Sequence, residues 1–328
     1  MTTDTTTDTT SGTTPGTVLS PAQWRHREAT HRSCVEQLTA GHRERRSRGE
    51  RHPVWDFMFS YYPVTPGKLG RWNPGFGVSL VADAGDRPGT TGSLREFQDD
   101  RDTPLWELDA PALMAKRGRS FRYIRRLLAA TVEHTPRFSC FGMHEWAMVY
   151  RDTPRHPEPL RLGADGTDRV VENNTLRCTH IDAFRFFTDE AVPRNTLYPT
   201  RATQAEMEQP GCLHATMDLY KWATKLGPLV PGELWLDTFR LACDVRRTDM
   251  EASPYDLRDW GFEPVAVETA EGRAEYVRRQ RDFAARGQVL RRSLVDLIDG
   301  FFRSVPPVDA TGGFENDLEN SYGTAQRG

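Results

Sequence analysis

Apolar positions recur at helical spacing in two long stretches of this 328-residue chain. After Asp109-Ala-Pro111, Asp is a suitable N-cap and Pro falls in the first turn. Leu113, Phe121, Ile124, Leu128 and Val132 then mark one face of a helix that must stop before Pro136. Tyr276, Phe283, Leu290, Leu294, Leu297 and Phe301 mark the inner stripe of a longer helix, from about Glu271 to Phe302. A third begins at Ser20-Pro21 and runs from Ala22 to Glu50, with Trp24, Val35 and Leu38 among its few apolar positions. Between the turn signals Pro210-Gly211 and Gly227-Pro228, Cys212 to Leu226 reads as one short helix, and Leu234 to Arg246 as the next. Strand-like runs are few: Val78–Ala82 and the start of Thr175–Phe187, near 175–181, which as a strand places Cys178, His180 and Asp182 on one face. Residues 83–104, 151–172 and 188–211 read as loops. The pattern predicts a mainly α protein: a single helix-rich catalytic domain over 21–306 with a few short strands. A disordered Thr-rich tail, 1–20, precedes it and a polar acidic tail, 307–328, follows.

Two apolar runs interrupt the periodicity. His52–Pro63 is dense in aromatics and reads as buried packing or as a platform of rings for a planar ligand. Phe138–Tyr150 carries His144 and Glu145 in its middle, where an unpaired carboxylate is costly.

Composition narrows the class. An apolar fraction of 37% and a charged fraction of 27% suit a soluble globular protein. No run of about eighteen apolar residues predicts a membrane span, and the N-terminus has neither the basic start nor the apolar centre of a secretory signal. Cys34, Cys140, Cys178, Cys212 and Cys243 are odd in number and widely spaced, which fits a reduced, cytoplasmic protein and argues against a zinc ribbon or iron–sulfur cluster. The net charge of −3 hides two basic stretches. One is the first helix, with Arg25, Arg27, Arg32, Arg43, Arg45, Arg46 and Arg48; the other holds Lys116, Arg117, Arg119, Arg122, Arg125, Arg126 and Arg137 against Glu133. Such stripes meet a phosphate backbone or simply solvate a helix face.

Three segments each join a histidine to a carboxylate: His144-Glu145, His180-x-Asp182 and His214-x-x-x-Asp218. His214 and Asp218, four apart on a helix, share a face. If the pairs converge, two chemistries are available. His144, Glu145, His180, Asp182, His214 and Asp218 can hold iron, manganese or zinc for a reaction on a small molecule. Without metal, a carboxylate oriented by an imidazole can activate water or stabilise a cationic centre. The plainer outcome is three locally satisfied pairs.

Several segments together resemble a bacterial family, mostly actinobacterial, that genome records label 3-methyladenine DNA glycosylase. They are Ser20–Ala29, His52–Tyr62, Leu69–Gly75, Phe141–Arg151, Thr179–Phe187 and His214–Ala223, and the likeness spans about residues 20–300. The resemblance implies an N-glycosylase that removes alkylated purines from DNA with no cofactor. Such an enzyme flips the base out, stacks it on rings and steadies positive charge at the sugar. Under that reading Asp218 is the carboxylate at the sugar, with His214 as its orienting partner and Glu145 as a further catalytic candidate. Trp146, Tyr220, Trp222 and Arg151 contact the substrate, and the basic stripes take phosphates. Helix-hairpin-helix glycosylases carry a Pro-Gly-x-Gly turn; Leu229–Leu234 has Pro231-Gly232 and a later Asp249 but not the second glycine.

Overall fold

The computed structural model describes residues 16–82, 94–99, 102–154 and 156–305. Its helices, in order, are α1 (Pro21–Ser47), α2 (Phe57–Ser60), α3 (Pro66–Leu69), α4 (Ala110–Glu133), α5 (Met143–Ala147) and α6 (Gly163–Glu172). Then follow α7 (Ile181–Phe184), α8 (Gln204–Met207), α9 (Leu213–Leu226), α10 (Gly232–Glu251) and α11 (Ala270–Ser304). Three of the long helices begin where side chains cap them. The Ser20 hydroxyl accepts from Gln23 N while the Gln23 side-chain Oε1 accepts from Ser20 N, a reciprocal cap that opens α1. Asp109 accepts from Ala112 N at α4, and Thr269 from Gly272 N at α11.

A small sheet joins β1 (Thr17–Leu19), β2 (Val78–Val81), β3 (Leu94–Gln98) and β4 (Pro104–Leu108) in the order β1-β2-β4-β3. β1 runs parallel to β2, with Thr17 opposite Val78 and Leu19 opposite Leu80. β4 is antiparallel to both neighbours, with Leu80 opposite Trp106 and Leu94 opposite Leu108. Leu19, Trp24, Trp72, Val78 and Leu80 form its own small core against α1, where Trp24 Nε1 donates to Val81 O at 2.9 Å.

The helical class is as the periodicity predicts; several boundaries are not. β1 lies inside the stretch expected to be a tail, and residues 1–15 and 306–328 lie outside the described residues. β3 and β4 occupy part of the expected loop 83–104, because Arg95, Glu96 and Glu107 leave too weak an alternation to read as strands. α6 falls in the expected loop 151–172, its glycines and acids masking a core face of Thr167 and Val171. The strand expected at 175–181 does not form beyond one bridge, Leu176 with Asn195. The Asn195 side chain replaces a neighbouring strand there, accepting from Cys178 N at 2.7 Å and donating to Cys178 O at 3.0 Å. His180 therefore precedes α7, and Asp182 sits within it.

Everything converges on α9. Eleven of its fourteen residues are buried, so it has no solvent stripe and must be enclosed on all sides. α10 and α11 flank it, and α11 also covers α4. Gly287 of α11 lets the two helices touch, since a Cβ there would lie 2.9 Å from Thr216 Cγ2. Arg291, fully buried, donates to Ala215 O at 3.0 Å and to Gln288 Oε1 at 2.6 Å, which ties the crossing together through two neutral acceptors. Each large apolar side chain enclosed here, such as Leu219, Phe239 or Phe301, contributes about 1.5–3 kcal/mol. No helix among the described residues is long and apolar enough to cross a membrane.

Candidate functional site

The chain reverses before α5 through two left-handed residues, Phe141 at φ 50° and Gly142 at φ 70°. The turn sends α5 inward with all five residues buried. His144 Nε2 meets Asp249 Oδ1 of α10 at 2.8 Å, and Cys140 Sγ lies 3.7 Å from His144 Nδ1. Opposite, Pro210-Gly211 starts α9 close beneath the same turn. A Cβ on Gly211 would stand 2.4 Å from Arg137 O, while Gly211 O accepts from Gln280 Nε2. Gly211→Ala must push this segment off residue 137 and is expected to cost about 1–3 kcal/mol. Urea midpoints measure it, and an unchanged midpoint would show that the approach is not tight.

His214, the second residue of α9, places its ring edge-on to His144 with centroids 4.4 Å apart and tilted to His180 at 5.5 Å. His144, Glu145, His214 and Asp249 each offer a ligand atom, all within 4.8 Å of one another. Arg246 Nη1 stands 3.5 Å from Asp249 Oδ2 and 3.9 Å from Glu145 Oε1. Its guanidinium lies 4.1 Å over the Phe57 ring. Burial opposes charge on His144, but Asp249 and Cys140 raise it well above the ordinary histidine range. Burial likewise opposes the Asp249 carboxylate, which His144, His214 and Arg246 nevertheless hold well below its usual value. Burial and the Asp249 charge push Glu145 up to about 7. Burial and the charge on His144 draw His214 down to about 3, leaving it neutral with a lone pair to offer.

His144 and His214 line a cavity of about 410 Å³ with Arg137, Arg177, Tyr276 and Gln280. Cys140, Cys178 and Cys212, dispersed in sequence, also meet on this wall. Burial raises the Cys178 and Cys212 thiols above their ordinary range, so both stay protonated.

Behind His214 the charges belong to a different network. His180 Nε2 lies 3.2 Å from Glu208 Oε1 and 3.5 Å from Asp218 Oδ2. Burial opposes the charge on His180, yet Glu208 and Asp218 raise it to about 10. Lys221 Nζ bridges Asp218 and Asp182, each at 2.7 Å, and Arg201 reaches Asp182 at 2.7 Å. Asp182 and Lys221 then face a second cavity, of about 650 Å³, on the other side.

The three histidines expected from the sequence thus come together, and Glu145 with them; Asp182 and Asp218 do not join their ring cluster but neutralise Lys221. Asp218 is 2% exposed and lines neither cavity, so it does not stand where a sugar could reach it. Trp146 and Tyr220, expected as stacking rings, are fully buried core residues, the former donating to Ala252 O and the latter ringed by Tyr62, Trp235 and Phe239. Trp222 lines the second cavity. Arg151 is exposed and pairs with Glu172 at 2.7 Å. The Pro231-Gly232 turn packs against Trp72, with Gly232 N donating to Asn73 O at 2.9 Å. Asp249 entered the sequence analysis only as the later Asp of the helix-hairpin-helix comparison, not as a partner of His144, and Arg246 was not expected at the site. Their signal was available: both follow Ala242 and Val245 on the buried side of α10, where a charge needs a partner. Comparison with protein-family models, with curated proteins and with solved structures finds no match for this chain.

Proposed function

We propose that the chain is a metal-dependent enzyme acting on a small polar molecule in the first cavity, with His144, Glu145, His214 and Asp249 as ligands of one divalent ion. The observation that supports this reading is the cluster itself, two imidazoles and two carboxylates from α5, α9 and α10 within 4.8 Å. Such a donor set suits iron(II), manganese or zinc. Two features fit an ion here. No described residue hydrogen-bonds the His214 ring, which makes only ring contacts with His144 and His180. Asp249 Oδ2 is buried without a hydrogen bond, and Arg246 beside it is placed to orient both carboxylates. A bound ion would polarise a substrate oxygen or acidify a bound water. The chain's own residues supply the rest. Arg137 and Arg177 draw an anionic group to the wall, and Gln280 Oε1, buried and without a partner, accepts a donor. Stripping the protein with a chelator and refilling it with iron(II), manganese or zinc should restore one ion per chain by elemental analysis. Failure of all three to bind stoichiometrically would remove this reading.

The family resemblance supports a second reading, hydrolysis of the N-glycosidic bond of alkylated purines in DNA. It is favoured by the exposed Lys116, Arg119, Arg122 and Arg126 along α4. Release of free 3-methyladenine from methylated DNA by metal-free protein would establish it in place of the first. No base release would exclude it.

A further inference from the structure

The second cavity uses none of the four proposed metal ligands, yet it is built as a site. At about 650 Å³ it is within the range that encloses a small ligand. Its wall carries Arg185, Arg201, Lys221 and Lys225 against Asp182 and Asp189 alone. Asp182 is already shared by Lys221 and Arg201 at 2.7 Å and by Arg185 at 3.5 Å. Three cations thus converge on one carboxylate, and even with Asp218 behind Lys221 the wall stays positive. Burial and the charge of Lys221 draw the Lys225 ammonium down to about 8, as happens to a cation among cations.

Rings alternate with these charges. Lys221 and Lys225 lie 4.7 Å and 5.4 Å from the Trp222 centroid, and Tyr61 and Tyr123 complete the inner wall. Tyr198 is 66% exposed, its ring nearly perpendicular to that of Phe184 with centroids 5.2 Å apart. A large ring presented to solvent at a cavity, rather than packed away, offers a free stacking face. Forked guanidinium groups recognise phosphate oxygens, and an exposed aromatic face recognises a planar heterocycle.

We infer that this second cavity binds a small anionic ligand carrying a planar ring, of the class of a nucleoside monophosphate, separately from the metal cluster. The test is calorimetric titration of the full chain, chelator-treated so that the outcome is independent of any metal, with adenosine 5′-monophosphate, inorganic phosphate and adenosine. The monophosphate should bind about tenfold or more tighter than either fragment. Tyr198→Ala, at an exposed position, should weaken the monophosphate about tenfold and leave phosphate unchanged. Arg185→Gln should weaken both the monophosphate and phosphate. No binding of the monophosphate, equal affinity for phosphate alone, or affinities untouched by both substitutions would each overturn the inference.

Discussion

A His214→Ala protein is expected to keep its fold and to lose the ion proposed for the cluster. The imidazole makes no hydrogen bond to a described residue and borders the open side of the cluster, so its removal should change stability by no more than about 1 kcal/mol. As a ligand, however, its loss should weaken ion binding by more than about 100-fold, beyond what outer partners of a metal site typically cost. His144→Ala should behave differently. His144 holds Asp249 at 2.8 Å, both side chains buried, and leaving that carboxylate to Arg246 at 3.5 Å should cost about 1.5–3 kcal/mol as well as the proposed ion. Elemental analysis and urea midpoints on both proteins separate the two effects. Full ion content in His214→Ala would sink the assignment of this residue.

Asp218→Asn is expected to unfold the protein readily instead of merely silencing it. Asp218 offsets Lys221 at 2.7 Å and stands 3.5 Å from His180, and all three side chains are buried. Removing the charge leaves two buried cations less compensated, an effect of about 3–5 kcal/mol. Lys221→Met should be comparably harmful, because it removes the ammonium that Asp218 and Asp182 share at 2.7 Å. The double variant should be less destabilised than the two losses added together, since Asp182 keeps Arg201. Losses under about 1 kcal/mol for both single variants would show that the network is not structural. The same network gives a pH signature. Although burial opposes it, Lys221 and Arg201 hold the Asp182 carboxyl well below the usual range in the folded protein. Its stabilisation is therefore complete above the unfolded value of about 4 and is lost as the pH falls below it. Urea midpoints between neutral pH and strong acid should fall less steeply for Asp182→Asn than for the unaltered chain.

What the sequence made legible follows from how far each signal reaches. Caps and stripes are local, so α1, α4 and α11 could be read almost to their ends, and the turn dipeptides around α9 fixed that helix within a residue. The histidines were legible because each sits in an apolar run where a polar ring needs a reason. Their partners were not. Neighbours in sequence point away from one another on a helix, so the firmest partner of His144 is not the adjacent Glu145 but Asp249, 105 positions on. His180 likewise pairs with Glu208 and Asp218, while Asp182 turns to Lys221. Rings near a carboxylate looked like a stacking platform, yet Trp146 and Tyr220 are too apolar and too central to be left at a surface. Scattered spacing argued only against a zinc ribbon or an iron–sulfur cluster and said nothing of which cysteines meet. The cavity gathers three of them because α5, α9 and the segment carrying Cys178 close around one space.

The enclosure of α9 also governs how the site comes into being. A helix with no face for water cannot persist as a docked element until α10, α11 and the 176–212 segment are all in place around it. The link from His144 to Asp249 closes a loop of 105 positions and the one from Arg291 to Ala215 a loop of 76, contacts that are slow to find because the chain entropy is surrendered before they form. Neither cavity can therefore exist in a half-folded chain. The cavities are expected to form as that packing completes, and a ligand bound in either should slow the exchange of amide hydrogens along the whole of α9.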